Sequence, residues 1–223
     1  MNNSTSLRII KKVLDYEIEA ISDLKKKVTI GSVFQAIKMI RACKKNKGKV
    51  ITMGLGTSSI QARKIAHNFS CIEIPALFLS TEVAVHGGSG VLQEQDLVIA
   101  FSRGGETREI LDIIPVIKQK KIKMISVTES EDSELAKAGD LILQIKVVRE
   151  ADPFNMLATS STICVLAIFD AITVLMMQQG KYKKDQFAII HPGGSVGERL
   201  KKHVQKIKHK DSKIKHEEYN VQL

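Results

Sequence analysis

Apolar residues along this chain follow two different spacings. Over residues 6–28 and 31–46 they recur every three or four positions, which predicts two amphipathic helices. From residue 50 onward they form short continuous runs, each followed by polar residues and then by another helical pattern. These runs predict five strands, over residues 50–53, 76–79, 97–101, 123–127 and 141–145. Helices are predicted over residues 58–69, 106–118, 133–138 and 157–179, with a further short helix after the second strand.

The alternation of strands and helices predicts an α/β fold. Parallel strands that are joined by helices form a sheet with both faces covered. Five strands with short crossovers favour a doubly wound, flavodoxin-like order, in which ligands bind beyond the carboxyl ends of the strands. We therefore expect N-terminal helices (residues 1–48) packed on a domain over residues 49–200, followed by a tail over residues 201–223.

The predicted helix over residues 157–179 contains the longest apolar run, residues 163–177. Asp170 interrupts this run, which is also shorter than the roughly 20 apolar residues that span a bilayer, so we expect a buried helix. The first twelve residues, MNNSTSLRIIKK, lack the apolar core of a signal peptide. The three cysteines have neither the spacing of a metal site nor that of a disulfide framework. A reduced, cytoplasmic protein is expected.

The formal net charge of +10 is distributed unevenly. Residues 199–223 hold eight lysines or arginines against three acidic residues, so the tail is strongly basic and the body only mildly so. Binding to nucleic acid or to a membrane is therefore not expected of the body. No group of residues has the spacing of metal ligands, and neither a metal nor an organic cofactor is expected.

Serine and threonine residues cluster where predicted strands end and helices begin. They occupy residues 57–59 after the first strand, Ser102 and Thr107 after the third, and residues 159–162 at the start of the long helix. A helix N-terminus offers free N–H groups and partial positive charge, hydroxyls add directed donors, and glycines allow close approach of the backbone. Such residues also suit simple helix caps. Several of these loops at one edge of a sheet nevertheless favour a phosphate site.

Two nucleotide-binding signatures are incomplete. Residues 54–59 (GLGTSS) are close to a dinucleotide fingerprint, but the third glycine is missing and Glu73 precedes the second strand instead of following it. The Gly-Lys-Ser/Thr of a P-loop is absent. A small phosphorylated metabolite is therefore favoured as the ligand, and an unrelated nucleotide-binding domain is kept as an alternative.

Five segments occur in the order found in sugar isomerase (SIS) domains. They are Gly54-x-Gly56, residues 82–87 (EVAVHG), residues 102–107 (SRGGET), residues 148–153 (VREADP) with 158–162 (ATSST), and residues 191–197 (HPGGSVG). Over residues 5–201 the chain resembles SIS domains and, more narrowly, the arabinose 5-phosphate isomerase family. The resemblance implies the SIS fold and an aldose–ketose isomerase that moves a proton between adjacent sugar carbons through an enediol.

The resemblance also implies a set of functional residues. Glu150 is the first candidate for the proton-transfer base, and Glu106 is the second. His191 and His86 are candidates for ring opening or for donation to a sugar oxygen. Substrate or phosphate contacts are implied for Gly56, Thr57, Ser58, Ser59, Ser102, Arg103, Gly104, Thr107, Thr159, Ser160, Ser161 and Thr162. Related domains assemble as dimers or tetramers, so a homo-oligomer that binds a sugar phosphate is expected.

Three sites depart from the family pattern. Thr57 stands where arabinose 5-phosphate isomerases usually carry a lysine, Gly88 where they carry an aspartate, and Arg103-Gly104 where they carry Asn-Ser. Arg103 could supply the cation that Thr57 does not, because its guanidinium is a planar fork that matches phosphate oxygens. These departures leave open a second reading, a non-catalytic phosphosugar-binding sensor or regulatory module.

Overall fold

The computed structural model describes residues 2–195 and 197–200. The chain divides into two compact units, with the boundary between Met176 and Met177. The basic tail predicted over residues 201–223 lies outside the described residues.

The first unit contains two N-terminal helices and then alternating strands and helices. The N-terminal helices are α1 (Asn3–Lys27) and α2 (Ile30–Lys45). The strands are β1 (Val50–Gly54), β2 (Ala76–Phe78), β3 (Leu97–Phe101), β4 (Lys123–Thr128) and β5 (Leu141–Gln144). The helices that connect and follow them are α3 (Thr57–Ser70), α4 (Thr81–Val85), α5 (Arg108–Leu111), α6 (Ile114–Gln119), α7 (Glu134–Ala138) and α8 (Ser160–Gln179).

The five strands form one sheet in the order β2-β1-β3-β4-β5, and every pair is parallel. Val50 of β1 lies opposite both Ala76 and Leu97, so β1 lies between β2 and β3, and β2 lies at an edge. This arrangement confirms the predicted doubly wound, flavodoxin-like fold. All carboxyl ends of the strands lie on the same side, where the polar loops follow.

Both faces of the sheet are covered by apolar side chains. One face joins residues of β1, β3 and β4 to the helices that follow β2, β3 and β4 in a single cluster that includes Ile51, Val98, Met124, Ile110 and Leu135. On the other face Phe101 of β3 contacts Phe169 of α8, with 5.3 Å between ring centroids, and Phe169 contacts Phe69 of α3 at 6.3 Å. Burial of each aromatic side chain contributes about 2–3 kcal/mol, and each edge-to-face pair adds roughly 1 kcal/mol.

Helix α8 is the long apolar helix that the sequence predicts. By length and composition alone it could cross a membrane, and within residues 2–195 and 197–200 it is the one helix of that kind. Nine of its residues are buried in the folded chain, among them Cys164, Ile168 and Ile172. The core helix of a globular domain has these same properties, in agreement with the predicted buried helix.

The single helix predicted over residues 106–118 is wrong, because the structure has two short helices there, α5 and α6. Pro115 lies in the first turn of α6. Proline has no N–H to donate and its ring clashes with the carbonyl four residues earlier, so a helix that began at residue 106 cannot continue through it. In the first turn of a new helix the missing N–H costs nothing.

The second unit contains the last residues of α8 and one more helix, α9 (Lys184–Ile190). Tyr182 and Phe187 pack edge to face, with 6.5 Å between their centroids. His191 directly follows α9.

Candidate functional site

A cleft lies at the carboxyl edge of the sheet in the first unit. Its water-accessible volume is about 40 Å³, enough for a few waters. The lining residues come from the start of α3, the carboxyl ends of β3 and β4, the segments after β3, β4 and β5, and the region around the start of α8: Ser58, Gln61, Phe101, Ser102, Arg103, Val127, Thr128, Glu129, Ile145, Ala158, Ser161 and Val165. The predicted convergence of the hydroxyl-bearing loops is therefore present in the structure.

The loop after β1 turns sharply into α3. Gly56 has φ 54° and ψ −131°, a conformation that favours glycine. The backbone of Ser58 passes close to Gly54, and a Cβ at position 54 would lie 2.7 Å from backbone atoms of Ser58. A glycine is therefore needed there. Thr57 is exposed at the first helical position, and Ser58 is half-buried and lines the cleft. The Ser59 hydroxyl donates to the Gly56 carbonyl at 2.7 Å, so it is already engaged in a hydrogen bond within its own turn.

The loop after β3 is fixed by a hydroxyl pair. Ser102 Oγ and Thr107 Oγ1 are 2.8 Å apart, and the Gly105 N–H donates to Ser102 Oγ at 3.0 Å. Gly105 has φ 76° and allows this tight turn. Gly104 is exposed beside it. Ser102 is buried, Arg103 is half-buried, and both line the cleft.

Arg103 lies between two carboxylates. Its Nε donates to Glu129 Oε1 at 2.9 Å, and its Nη1 lies 2.8 Å from Glu150 Oε1. The second contact is an ion pair without the alignment of a hydrogen bond, so Glu150 Oε1 has no hydrogen-bond partner among the described residues. One guanidinium therefore faces two carboxylates, and the three side chains together carry a net charge of −1.

Glu150 is fully buried and anchors the start of α8. Its Oε2 accepts from the Thr159 N–H at 2.8 Å, the Thr159 hydroxyl at 3.0 Å and the Ser161 N–H at 3.2 Å. Burial alone raises the pKa of Glu150, but the hydrogen bonds from Ser161 and Thr159 outweigh it and hold the pKa below its usual value. The carboxylate is therefore ionised at neutral pH.

The loop before α8 holds Glu150 in place. Asn155 Oδ1 accepts from the Glu150 N–H at 2.6 Å, and Asn155 adopts the left-handed backbone conformation that asparagine tolerates. The Asp152 carboxylate accepts from three amides, those of Phe154, Met156 and Leu157, each at 2.9 Å. These bonds close the loop and place the Glu150 side chain under the first turn of α8.

The hydroxyl segment at the start of α8 is already engaged. Thr159 and Ser161 bond Glu150, and Thr162 Oγ1 donates to the Ala158 carbonyl while accepting from Gln61. The Ser160 hydroxyl is buried, and the described chain offers it no hydrogen-bond partner. The sequence predicts that the N–H groups at the start of α8 bind phosphate. In the structure the Thr159 and Ser161 N–H groups bond the Glu150 carboxylate instead. The N-terminus of α3 has no such internal anion among the described residues.

Glu106, His86 and His191 are not among the residues that line the cleft. Glu106 is exposed, and its Oε1 accepts from the Glu134 N–H at 3.0 Å, which caps α7. His86 is exposed directly after α4. His191 belongs to the second unit, where its Nδ1 is 2.9 Å from the Phe187 carbonyl and its ring stacks on Phe187 at 3.9 Å.

Glu129 and Gln61 line the cleft but were not among the sequence candidates. Glu129 directly follows β4, and this position at the carboxyl end of a strand could have identified it as a site residue from the sequence. Gln61 is buried one helical turn after Ser58, and its Nε2 donates to Thr162 Oγ1 at 3.0 Å. Gln61 lies on the same face of α3 as Ser58, and this spacing could have identified it as a site residue from the sequence. Over residues 2–195 and 197–200 no group of three His, Cys, Asp or Glu side chains could hold a metal ion.

Comparisons with known proteins place the chain in a family. The SIS domain model matches residues 44–175. Arabinose 5-phosphate isomerase KdsD of Escherichia coli K12 is 35% identical over 206 residues, which cover 92% of this chain and 62% of that protein. Arabinose 5-phosphate isomerase KpsF of E. coli O6:H1 is 35% identical over 191 residues, 86% of this chain and 58% of that protein. The chain thus spans about three fifths of the length of these curated relatives.

Solved structures give the same relationship. A Listeria monocytogenes protein proposed to be a sugar-phosphate isomerase has 43% identity and a TM-score of 0.83, over 86% of this chain and 100% of that chain. An E. coli CFT073 protein in complex with arabinose 5-phosphate has 33% identity and a TM-score of 0.81 over the same shares of the two chains. The fold, the site-bearing edge and these comparisons lead to one conclusion: the chain belongs to the SIS domain family.

Proposed function

We propose that this protein is a sugar-phosphate aldose–ketose isomerase of the arabinose 5-phosphate isomerase type. The observation that carries the proposal is a cleft in which hydroxyls, a helix N-terminus and one arginine converge beside a buried, ionised carboxylate. Relatives named arabinose 5-phosphate isomerase, at about 35% identity, support the same substrate class.

The phosphate is bound between the loops after β1 and β3. The free N–H groups at the start of α3 and the Ser58 hydroxyl approach it from one side, and Ser102 and Arg103 approach it from the other. Thr57, Gly56, Gly104 and Thr107 complete this shell, with Ser59 behind it. Because Arg103 already faces Glu129 and Glu150, the incoming phosphate competes with these carboxylates for the guanidinium.

Glu150 is the proton-transfer base. When Arg103 turns toward the phosphate, Glu150 Oε1 loses the cation it faces, and a buried carboxylate without a cation has a higher pKa and is a better base. Oε1 takes the proton from the sugar carbon beside the carbonyl and returns it to the neighbouring carbon. The Thr159–Thr162 segment keeps Oε2 fixed during both transfers. Glu106 is the alternative base.

His191 or His86 moves the proton between the two sugar oxygens and assists ring opening. Such a step needs a group that both donates and accepts near neutral pH, and imidazole does so. No step of this reaction requires a metal or an organic cofactor. The protein acts in the cytoplasm as a homodimer or homotetramer.

Deuterium exchange tests this proposal. The wild-type chain is incubated in D₂O with a panel of pentose and hexose phosphates, and NMR follows solvent deuterium at C1 and C2. We expect exchange with at least one pentose phosphate. Glu150→Gln should lower kcat by on the order of 100-fold or more with little change in phosphosugar affinity, while the exposed control Glu94→Gln should leave kcat unchanged. Absence of exchange with every sugar would contradict the proposal.

The arginine is tested separately through binding. Arg103→Ala should weaken phosphosugar binding by roughly 10- to 100-fold, because charge-assisted bonds to phosphate are among the strong ones. Arg108→Ala is the matched control, since Arg108 pairs with Asp112 on the exposed surface of α5. Equal phosphosugar affinity of the two variants would contradict a role of Arg103 in phosphate binding.

One observation favours the sensor alternative. In the structure Glu150 is engaged on both oxygens, by α8 and by Arg103, as a purely structural carboxylate would be. A protein that binds phosphosugars tightly but exchanges no deuterium with any of them would be a sensor or regulatory module.

A further inference from the structure

Glu129 lines the cleft and contacts its arginine, although the proposed reaction uses only Arg103 and Glu150. It directly follows β4, and its side chain is 19% exposed. Its Oε1 accepts a hydrogen bond from Arg103 Nε at 2.9 Å. Ion pairs between fully exposed side chains often contribute nothing measurable. The pair formed by Arg103 and Glu129 differs from those, because it is partly buried and its two backbones are joined as well.

The backbone bonds between the two residues continue the pairing of β3 and β4. The last paired residues of these strands are Phe101 and Val127. Two positions further on, the Glu129 N–H donates to the Arg103 carbonyl at 2.9 Å, and the Thr128 hydroxyl donates to the same carbonyl at 2.9 Å. Both side chains therefore start from fixed points on neighbouring strand ends, so less conformational freedom is lost when they pair.

The two carboxylates contact different nitrogens of one guanidinium. Glu129 bonds Nε, the nitrogen nearest the main chain, whereas Glu150 faces Nη1 at the outer end. A guanidinium is planar and rigid, so a bond at Nε restricts the rotation of the whole group and leaves its outer edge to turn toward another acceptor. That outer edge carries the paired N–H groups of Nη1 and Nη2, which match two oxygens of a phosphate.

We propose that Glu129 is a positioning residue for phosphate recognition. It holds Nε of Arg103 in place while the outer edge of the guanidinium moves from Glu150 to the phosphate of the substrate. This role deepens the proposed function and rests on its assignment of Arg103 to the phosphate. Without Glu129 the whole guanidinium is free to turn onto Glu150, and an incoming phosphate has to displace it from there.

The charge of Glu129 and its hydrogen bond act in opposite directions on phosphate binding. A carboxylate beside a phosphate dianion repels it, so removal of the charge alone favours binding. The hydrogen bond to Nε favours binding because it orients Arg103. Two substitutions separate these effects. Glu129→Gln removes the charge and keeps an oxygen that accepts from Nε, whereas Glu129→Leu removes both the charge and the acceptor.

Calorimetric titration with arabinose 5-phosphate compares the two variants. Glu129→Leu should weaken binding by roughly 10-fold or more, because bidentate bonds to phosphate depend on the orientation of Arg103. Glu129→Gln should bind at least as tightly as the wild type. Glu131→Leu is the matched control at an exposed position two residues further on, and its affinity should equal that of the wild type. Equal effects of the two Glu129 substitutions, in either direction, overturn the proposal.

A double-mutant cycle separates positioning of Arg103 from a general loss of structure. In an Arg103→Ala background, Glu129→Leu should change the affinity by less than about 2-fold, because the group that it positions is gone. A further 10-fold loss in that background would mean that Glu129 acts through the fold or through another group, and it would overturn the proposal.

NMR of the wild type tests the same point without a substitution at Glu129. The Nε–H signal of Arg103 is assigned by its absence in Arg103→Lys. It should be protected from solvent exchange in the free protein and should stay protected when arabinose 5-phosphate or inorganic phosphate is added, because Nε remains bonded to Glu129. Loss of protection on binding, or its absence in the free protein, overturns the proposal.

Deuterium exchange keeps this test separate from the proposed function. A wild-type protein that exchanges deuterium, together with a Glu129→Leu variant that binds as tightly as the wild type, overturns the positioning role and leaves the isomerase proposal standing. A protein whose variants bind in the expected order but which exchanges no deuterium supports the positioning role and contradicts the isomerase proposal.

Discussion

Replacing Glu150 by glutamine removes the charge of the buried carboxylate while keeping its shape. The glutamine carbonyl can still accept the bonds from Thr159 and Ser161, so the first turn of α8 stays capped. What is lost is the negative charge at a helix N-terminus and its ion pair with Arg103. The variant therefore measures how much the ionised carboxylate contributes to folding.

The expected loss is about 2 kcal/mol in the free energy of unfolding. Three hydrogen bonds to Oε2 change from charge-assisted to neutral, and neutral bonds are roughly half as strong, a loss of about 1 kcal/mol each. Relief of the desolvation penalty of a buried charge offsets part of this. Arg103 adds little, because its side chain is 35% exposed and regains water when its partner is neutral.

The effect should depend on pH in a defined direction. The folded-state pKa of Glu150 lies below its usual value, so its stabilisation is complete above the ordinary glutamate pKa of about 4.3. It is lost as the pH falls through the lower folded-state pKa. Protonated Glu150 then resembles glutamine in charge, and the two proteins converge in stability.

Urea unfolding of the wild type and Glu150→Gln between pH 7 and pH 3 measures this difference. Glu94→Gln is the control, because Glu94 is exposed and should change stability by less than about 0.5 kcal/mol at any pH. A difference between wild type and Glu150→Gln below about 0.5 kcal/mol at pH 7 would refute the reasoning. So would a difference that stays constant as the pH falls.

Two further predictions concern the backbone and the thiols. Gly105→Ala should destabilise the protein by roughly 2 kcal/mol or more in thermal unfolding, because φ is 76° and the new Cβ would lie 2.0 Å from the hydroxyl of the N-cap serine of α7. Gly104→Ala, where a Cβ meets open space, should change little, and equal effects would contradict the steric cause. In native protein at pH 8 a thiol reagent should label Cys71 alone, since burial raises the pKa of Cys43 and of Cys164 to about 11; fast labelling of all three would contradict their burial.

The sheet could be predicted from the sequence because its strands are buried on both faces. The run over residues 97–101 coincides with β3, and the ends of the other strands differ from the prediction by no more than one residue. Parallel strands of this kind appear as continuous apolar runs, and short crossovers leave few possible strand orders. Pro115 was a local signal that residues 106–118 could not form one helix, and helical spacing alone did not take it into account.

The cleft could be predicted in position but not in its bonding. Strand ends placed Ser58, Ser102 and Ser161 on one edge, where the structure has them. Arg103 contacts Glu129 and Glu150, which lie 26 and 47 positions further along the chain. No local sequence pattern predicts contacts between residues so far apart. The roles of the candidate residues remain predictions that the substitutions above address.

The sequence by itself determined the five strands, their order and the edge of the sheet that carries the polar loops, because these depend on the period of apolar residues and on chain connectivity. Only the tertiary structure decided which groups bond one another there. The hydroxyl residues at the N-terminus of α8 predict an anion site. In the structure the carboxylate of Glu150 occupies it. A buried N–H bonds whichever acceptor the fold brings within about 3 Å, and that choice depends on packing over the whole domain.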